Sequence, residues 1–187
     1  MSLQITANSY HLRFLADEDR IVIAVDLSPE HELAMLLTRR LTRNLLAALA
    51  KMMSDRGPAA AVAKDPVTAA ANPVLRDTIL DFEHSQSVAT AVAEGHMRNE
   101  TREKPPAVPP RLVREVKIVP KPDSGLALIF GTGKQVLALE IAPDRIHMVI
   151  ETFVQMAERA GWDLPPMASW LDPAKTTVVT APAKSLN

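Results

Sequence analysis

The sequence predicts an α+β protein built from two βββα units, each with an antiparallel sheet and a helix that begins at a proline. Two blocks of strand-like alternation, separated by about half of the chain, are the first observation behind this prediction. The second observation is that each block leads into a helical apolar repeat behind Pro29 or Pro143. We therefore expect a first unit over 1–56 and a second unit over 112–170.

In the first unit, three strands precede the helix. Two of them alternate as half-buried strands do, and the third is apolar on both sides, which is typical of a central strand covered on both faces. They are expected at 3–6, 10–15 and 20–27. The helix is expected at 29–53, because the Ser28 hydroxyl can accept an orphan backbone N–H and Pro29 presets the helical φ.

A middle segment, 57–111, separates the two units. It starts as an Ala- and Pro-rich linker, and a second asparagine–proline start signal predicts a helix over about 73–97. The second unit repeats the order of the first, with a helix that opens at Pro143. Its strands are expected at 112–119, 126–130 and 135–141. The Thr-, Ala- and Pro-rich residues 171–187 predict a flexible tail.

An internal repeat relates the two units. When the prolines that open the two helices are superimposed, Leu12 falls on Leu126 and Val22 on Val136 without a gap. The third strand of each unit is apolar on both faces, but a single helix covers only one face of a sheet. The units are therefore expected to cover each other, or to be covered by a second copy of the chain.

The bulk composition argues against several function classes. Lys and Arg number 21 and Asp and Glu number 22, so the chain has no overall positive charge to attract a polyanion. The absence of cysteine excludes disulfides, thiolate metal sites and a cysteine nucleophile. No apolar run has the length of a signal peptide core or a membrane span, so we expect a soluble, cytoplasmic protein without a membrane partner.

Residues 131–134, Gly-Thr-Gly-Lys, resemble a phosphate-binding loop only in part. Such a loop has four residues between its first glycine and the Gly-Lys pair and leads into a helix, whereas here one residue intervenes and a strand follows. We interpret the segment as a hairpin turn in which glycine supplies a positive φ. The sequence therefore predicts no cofactor site at this loop.

The histidines do not predict a metal or catalytic centre. His31 lacks the second histidine of a zinc-protease helix, because the position four residues later holds methionine. His84 and His96 are too far apart along the expected middle helix to share one ion, and we interpret them as solvated. His11 and His147 are interpreted as lone structural residues. We expect no catalytic residue, no metal and no cofactor.

The predicted first helix carries the candidate interaction surface. With about 25 residues it would overhang its sheet, so its last apolar residues need a partner, either the middle helix or a second copy. It has no acidic residue between Glu32 and Asp55, and its cations require either acidic residues of the middle helix or a phosphate backbone as counterpart. The candidate surface comprises Arg39, Arg40, Arg43, Leu45, Leu49, Lys51 and Met52.

These observations favour a non-enzymatic protein-interaction or assembly module that acts as a homodimer or with a protein partner. The alternative is a nucleic-acid-binding protein that uses the stripe Arg39, Arg40, Arg43 and Lys51. Few aromatic residues lie on the expected strands, which counts against base stacking in that alternative. An enzyme whose site is assembled from residues distant in sequence stays open as a third class.

Overall fold

A computed structural model describes residues 3–7, 9–28, 31–56, 73–94, 109–164 and 168–171. Within these ranges the strands are β1 (Leu3–Ala7), β2 (His11–Leu15), β3 (Arg20–Ser28), β4 (His31–Leu37), β5 (Arg111–Leu112), β6 (Glu115–Pro120), β7 (Leu126–Gly131) and β8 (Gln135–Ile141). The α-helices are α1 (Arg39–Ser54), α2 (Pro73–Ala93) and α3 (Ile146–Arg159), with 3₁₀ helices at Ala16–Glu18, Pro143–Arg145 and Ser169–Leu171. This mixture confirms the predicted α+β class. The linker expected at 57–72 and nearly all of the tail expected at 171–187 lie outside the described residues.

The strands form two four-stranded sheets with the same topology. One sheet has the order β2-β3-β4-β5 and the other the order β6-β7-β8-β1. Three neighbouring strands of each sheet are antiparallel, and the fourth joins in parallel: β5 beside β4, and β1 beside β8. Each sheet therefore contains one strand from the other half of the chain, and neither sheet is purely antiparallel as the sequence analysis expected.

β4 occupies a segment in which the sequence analysis expected the start of the first helix. It pairs with β3 in an antiparallel ladder that includes Ile21 opposite Leu37. Residues 33–37 are all buried, and an uninterrupted apolar run fits a helix and a doubly covered strand equally well. In the second half, the single strand expected at 112–119 is divided into β5 and β6. Each half therefore has the element order ββββα and not βββα.

α1 begins at Arg39, and not at Pro29 as the proline signal predicts. Its N-cap is Thr38, whose Oγ1 accepts a hydrogen bond from the Leu41 amide at 3.2 Å. In the second half, the helix start predicted at Pro143 agrees better with the structure, because Pro143 opens one turn of 3₁₀ helix and α3 follows directly. With 16 residues, α1 is much shorter than the helix that the sequence predicts.

The common topology places β3 in the position of β7 and β4 in the position of β8. Ile21 pairs with Leu37 in one sheet as Leu126 pairs with Ile141 in the other. The alignment of Leu12 with Leu126 is therefore wrong by one strand, because Leu12 lies on β2 and Leu126 on β7. The error comes from the two prolines used for that alignment, since the first precedes a strand and the second a helical segment.

One continuous apolar core draws on both halves of the chain. α1 packs against α3, and each helix also contacts the opposite half, α1 at β6 and α3 at β2. The inward-facing residues of the four central strands are Ile21, Ile23, Val25, Leu33, Met35, Leu37, Leu126, Leu128, Phe130, Leu137, Leu139 and Ile141. On the other face of β3, Val22 and Ala24 are also fully buried, which confirms the prediction of a doubly covered central strand at 20–27. Because the halves exchange a strand and share this core, each depends on the other for its burial.

The end of α3 is fastened to the first half of the chain. Gly161 follows the helix with a φ of 64°, a left-handed conformation that glycine adopts easily and that ends the helix. The Trp162 indole then donates a hydrogen bond from Nε1 to Oδ1 of Asp19 at 2.6 Å, and its ring meets that of Phe14 edge to face. This contact closes the turn between β2 and β3 against the second half.

α2 packs on α3 and on the 3₁₀ helix Ser169–Leu171. It is the middle helix expected at about 73–97, and it ends at Ala93. At 21 residues it is the longest helix of the described chain. Across the described ranges, no helix combines the length and the apolar character that crossing a membrane requires.

Candidate functional site

The structure divides the predicted interaction surface into a buried part and an exposed part. Leu45 and Leu49 are 3% and 0% exposed and belong to the core, and Met52 packs against it. These three side chains are covered by their own chain, because α1 packs against α3, and the expectation of an external surface does not hold for them. Arg40 and Arg43 are exposed to solvent.

Exposed residues on one side of α1 form a basic face, which we define as Arg40, Arg43, Asn44, Ala47, Ala48 and Lys51. Lys51 pairs with Asp55 one turn further along, with 2.7 Å between Nζ and Oδ2, and this hydrogen bond lowers the pKa of Asp55. Arg39 donates from Nη2 to the carbonyl oxygen of Asp163 at 2.8 Å. Among the described residues, no ion pair joins these cations to an acidic residue of α2.

α2 exposes a row of apolar side chains, which we call the α2 stripe: Val74, Leu75, Phe82 and Val92. Their side chains are 74%, 42%, 65% and 58% exposed, respectively. At about 100° per residue, the four fall within roughly 100° of the helix circumference, and the helix positions between them on that face hold Thr78, Ser85 and Ala89. The stripe contains no charged side chain, and Asp81 borders it.

The opposite face of α2 docks on α3 with few apolar side chains. Leu80 is fully buried and Ala91 is 7% exposed. His84, between them, is 2% exposed, so its interpretation as a solvated residue is wrong. The sequence contained a signal for this burial, because His84 follows Leu80 by one helical turn and therefore shares its face. His96, the other histidine assigned to this helix, lies outside the described residues.

His84 contacts two residues of α3. Its Nε2 lies 3.1 Å from Oε2 of Glu151, and its Nδ1 lies 3.3 Å from Nδ1 of His147. The other carboxylate oxygen of Glu151 accepts a hydrogen bond from Nε2 of Gln155 at 2.8 Å. The Trp170 indole packs edge-on against both imidazoles, with ring centroids 5.4 and 5.8 Å away. We call His84, His147 and Glu151 the histidine cluster.

Burial governs the protonation of this cluster. Desolvation, with a smaller contribution from His84, lowers the pKa of His147 to about 4, so this imidazole is neutral near neutral pH. Burial acts to raise the pKa of Glu151, but the hydrogen bonds from His84 and Gln155 oppose it and the net change is a lowered pKa. One of the two facing Nδ1 atoms therefore donates a hydrogen bond and the other accepts it.

The histidine cluster has the residue types of an acid–base centre, but its location does not suit an external substrate. Its three side chains are 2%, 5% and 4% exposed. In the described part of the chain, no group of three or more His, Asp or Glu side chains has an arrangement that could hold a metal ion. The contacts instead account for the attachment of α2 to α3.

A basic pocket lies where the chain passes from β5 to β6. It is lined by Arg111, Leu112, Arg114, Thr132, Gly133 and Lys134, and its volume is about 440 Å³. The predicted hairpin turn at 131–134 is confirmed, because β7 and β8 are antiparallel neighbours and Gly133 has a φ of 88°. No spacing along the sequence indicates that the β5–β6 segment brings two arginines to this turn.

Comparison of the chain with protein-family models, with curated proteins and with solved structures gives no match in any of the three. Three local features of the structure are candidates for a functional surface. These are the α2 stripe, the basic face of α1 and the basic pocket.

Proposed function

We propose that the protein is a non-enzymatic assembly module that forms a homodimer through the α2 stripe. The observation that supports this proposal is the exposure of four large apolar side chains, led by Val74 and Phe82, on a helix face without charge. Contiguous exposed apolar surface is characteristic of sites that bind another protein. Recognition of a helix by a partner uses apolar anchors repeated along one helix face, and the four residues of the α2 stripe share one face.

A second copy of the chain offers a complementary surface in the basic face of α1. Ala47 and Ala48 are small and exposed there, and they leave room for large side chains such as Phe82. The charges are also complementary, since Arg40 and Arg43 on the basic face are positive and Asp81, which borders the α2 stripe, is negative. Contact between two α2 helices would instead bring like charges together, which disfavours that arrangement.

A two-fold axis lets both copies make the same contact, with α2 of each copy on α1 of the other. Such an isologous contact closes on itself and stops at the dimer. Within one chain, the two ββββα halves already exchange a strand in a reciprocal manner. We infer that these halves are copies of one unit, since their sheets have the same strand order and the same directions.

The mass of the protein in solution, measured by light scattering over a range of concentrations, tests the proposal. We expect the wild-type chain to be a dimer and Phe82→Glu to be a monomer, because the change removes the large apolar side chain that packs on Ala47 and Ala48 and requires desolvation of a carboxylate in its place. Thr90→Glu is the matched control, since it adds the same charge to an exposed position of α2 outside the stripe. This control variant should remain dimeric.

Charge reversal tests the location of the contact. Arg43→Glu should weaken the dimer, and Asp81→Arg in the same chain should restore it if the two side chains meet across the axis. A monomeric wild-type chain, or a Phe82→Glu variant that stays dimeric, would contradict the proposal. If in addition a labelled oligonucleotide binds in a salt-dependent manner and Arg40→Glu abolishes that binding, the nucleic-acid alternative replaces it.

A further inference from the structure

We propose that the basic pocket binds a small molecule carrying two adjacent phosphate groups. This site lies apart from the α2 stripe and from the basic face of α1, so the proposal does not depend on dimer formation. Its residues come from two parts of the chain, the β5–β6 crossover and the β7–β8 turn. The charge, the rigidity and the size of the pocket each support this class of ligand.

The segment that supplies the two arginines, residues 111–114, is held by both sheets. On one side, Arg111 pairs with Met35 and the Val113 amide donates to the Leu36 carbonyl oxygen at 2.9 Å. On the other side, the Arg114 amide donates to the Gly131 carbonyl oxygen of the second sheet at 2.8 Å. The backbone of both arginines is therefore fixed before a ligand arrives, which reduces the entropy that binding must overcome.

The turn on the other side of the pocket is equally ordered. Thr132 Oγ1 accepts hydrogen bonds from the Gln135 amide at 3.0 Å and the Lys134 amide at 3.4 Å. The Thr132 amide in turn donates to the Gln135 carbonyl oxygen at 3.0 Å. A side-chain Cβ built at Gly133 would meet no atom within 4 Å, so the turn is open on that side and a ligand can approach its backbone closely.

The pocket collects three positive charges without a matching carboxylate. Arg111, Arg114 and Lys134 form no ion pair with any described residue. Glu115 follows directly in sequence, but its side chain lies over Gly131 and its Oε2 is 3.3 Å from Nζ of Lys117. Like charges held close together repel, so an anion that binds among them relieves a cost already present in the free protein.

Charge and size together favour a diphosphate over a single carboxylate. A carboxylate balances one of the three cations, whereas two linked phosphates balance all of them. Guanidinium groups bind phosphate oxygens in a bidentate manner, and lysine supplies an additional point charge. The volume of about 440 Å³ is in the range of small-molecule sites, which run from about 300 to 1,000 Å³, and Leu112 offers an apolar wall to the rest of such a ligand.

Calorimetric titration with pyrophosphate at low ionic strength tests the proposal. We expect saturable binding to the wild-type chain, and affinity that is about tenfold weaker or worse in Arg114→Gln and in Lys134→Gln, because each loses a charge-assisted hydrogen bond. Lys117→Gln is the matched control, since it removes an exposed cation of the same sheet that already pairs with Glu115. Thermal unfolding of each variant establishes that the fold is retained.

Three results would overturn the proposal. One is the absence of saturable pyrophosphate binding to the wild-type chain. Another is an equal loss of affinity in Lys117→Gln, which would indicate diffuse attraction and no defined site. The third is tight binding of a labelled oligonucleotide that pyrophosphate does not displace, which would make the ligand a polymer. None of these results bears on the dimer, whose test is the Phe82→Glu variant.

Discussion

His84 and Glu151 place one buried hydrogen bond between α2 and α3, with 3.1 Å from Nε2 of His84 to Oε2 of Glu151. Among the described residues of α2, Leu80 and Ala91 are the buried apolar side chains, so this polar contact is a major part of the docking of the helix. A buried polar contact is strong when complete and costly when one partner is removed. The position of the α2 stripe therefore depends on the histidine cluster.

Acid should destabilise the protein through His147. Its pKa is about 4 in the folded chain and 6.5 as an unperturbed side chain, so between these values the unfolded chain binds a proton that the folded chain excludes. The free energy of unfolding should therefore fall by about 3 kcal/mol in all as the pH drops from about 6.5 to about 4. From about pH 4.5 downward, protonation of Glu151, whose pKa is also lowered by folding, removes further stability.

Urea unfolding at a series of pH values measures this loss. His147→Asn is the informative variant, because it retains a polar side chain but removes the titration. Its free energy of unfolding should depend on pH less steeply than that of the wild-type chain between pH 4 and 6.5, by up to about 1.4 kcal/mol per pH unit. Identical pH profiles for the two proteins would contradict the assignment of this transition to His147.

A double-mutant cycle should reveal strong coupling between His84 and Glu151. His84→Leu leaves the Glu151 carboxylate buried beside Gln155 without its histidine partner, at a cost of about 3–5 kcal/mol. His84→Leu/Glu151→Leu removes both polar groups together and should be distinctly more stable than the sum of the single changes predicts.

Gln155→Ala is a control for the same carboxylate. It removes the hydrogen bond to the other oxygen and should cost about 1 kcal/mol. For the double-mutant cycle, chemical unfolding of the wild-type chain, His84→Leu, Glu151→Leu and the double variant gives the coupling free energy. Effects that are additive within about 0.5 kcal/mol would show that His84 and Glu151 do not interact.

The N-cap of α1 offers a test of where that helix begins. Thr38→Ala removes the acceptor for the Leu41 amide and should lower the free energy of unfolding by about 1 kcal/mol. Thr38→Ser retains a hydroxyl acceptor, so its free energy of unfolding should stay close to that of the wild-type chain. Ser28→Ala is the matched comparison, because Ser28 ends β3 and contacts His31 at an exposed position. A larger loss for Ser28→Ala than for Thr38→Ala would instead support a helix start at Pro29.

The two halves should unfold in a single transition. β1 completes the sheet of the second half and β5 that of the first, and the core includes residues of both. Fluorescence of Trp162 and Trp170, measured separately in Trp170→Phe and Trp162→Phe variants, should therefore give the same urea midpoint as far-ultraviolet circular dichroism of the same variant. Two separated midpoints within one variant would indicate halves that fold independently.

The fold class was predictable from local patterns, but β4 was not. The strands expected at 3–6, 20–27 and 135–141 agree with β1, β3 and β8 to within one residue at either end. Their apolar alternation or double apolar faces are local properties. In β4 the apolar run at 33–37 satisfies the period of a helix as well, and pairing with β3 decides its state. That pairing is tertiary information.

The sites were less predictable than the fold. In α2 the large apolar side chains of Leu75 and Phe82 are exposed, and the buried face contains Leu80 and His84. A polar histidine interrupts the apolar repeat of that face, so the hydrophobic pattern favoured the wrong side. The basic pocket requires Arg114 beside the β7–β8 turn, and such proximity follows from strand pairing that no spacing along the chain reveals.

The exchange of first strands also affects how the chain acquires its structure during synthesis. Among the described strands, β1 is translated first, but Leu3 pairs with Gln135, whose strand β8 is translated last. The sheet of the first half likewise lacks its parallel edge until residues 111–112 emerge. Pairing over such sequence separations is slow. For most of elongation, the nascent chain therefore holds exposed strand edges that molecular chaperones are suited to shield.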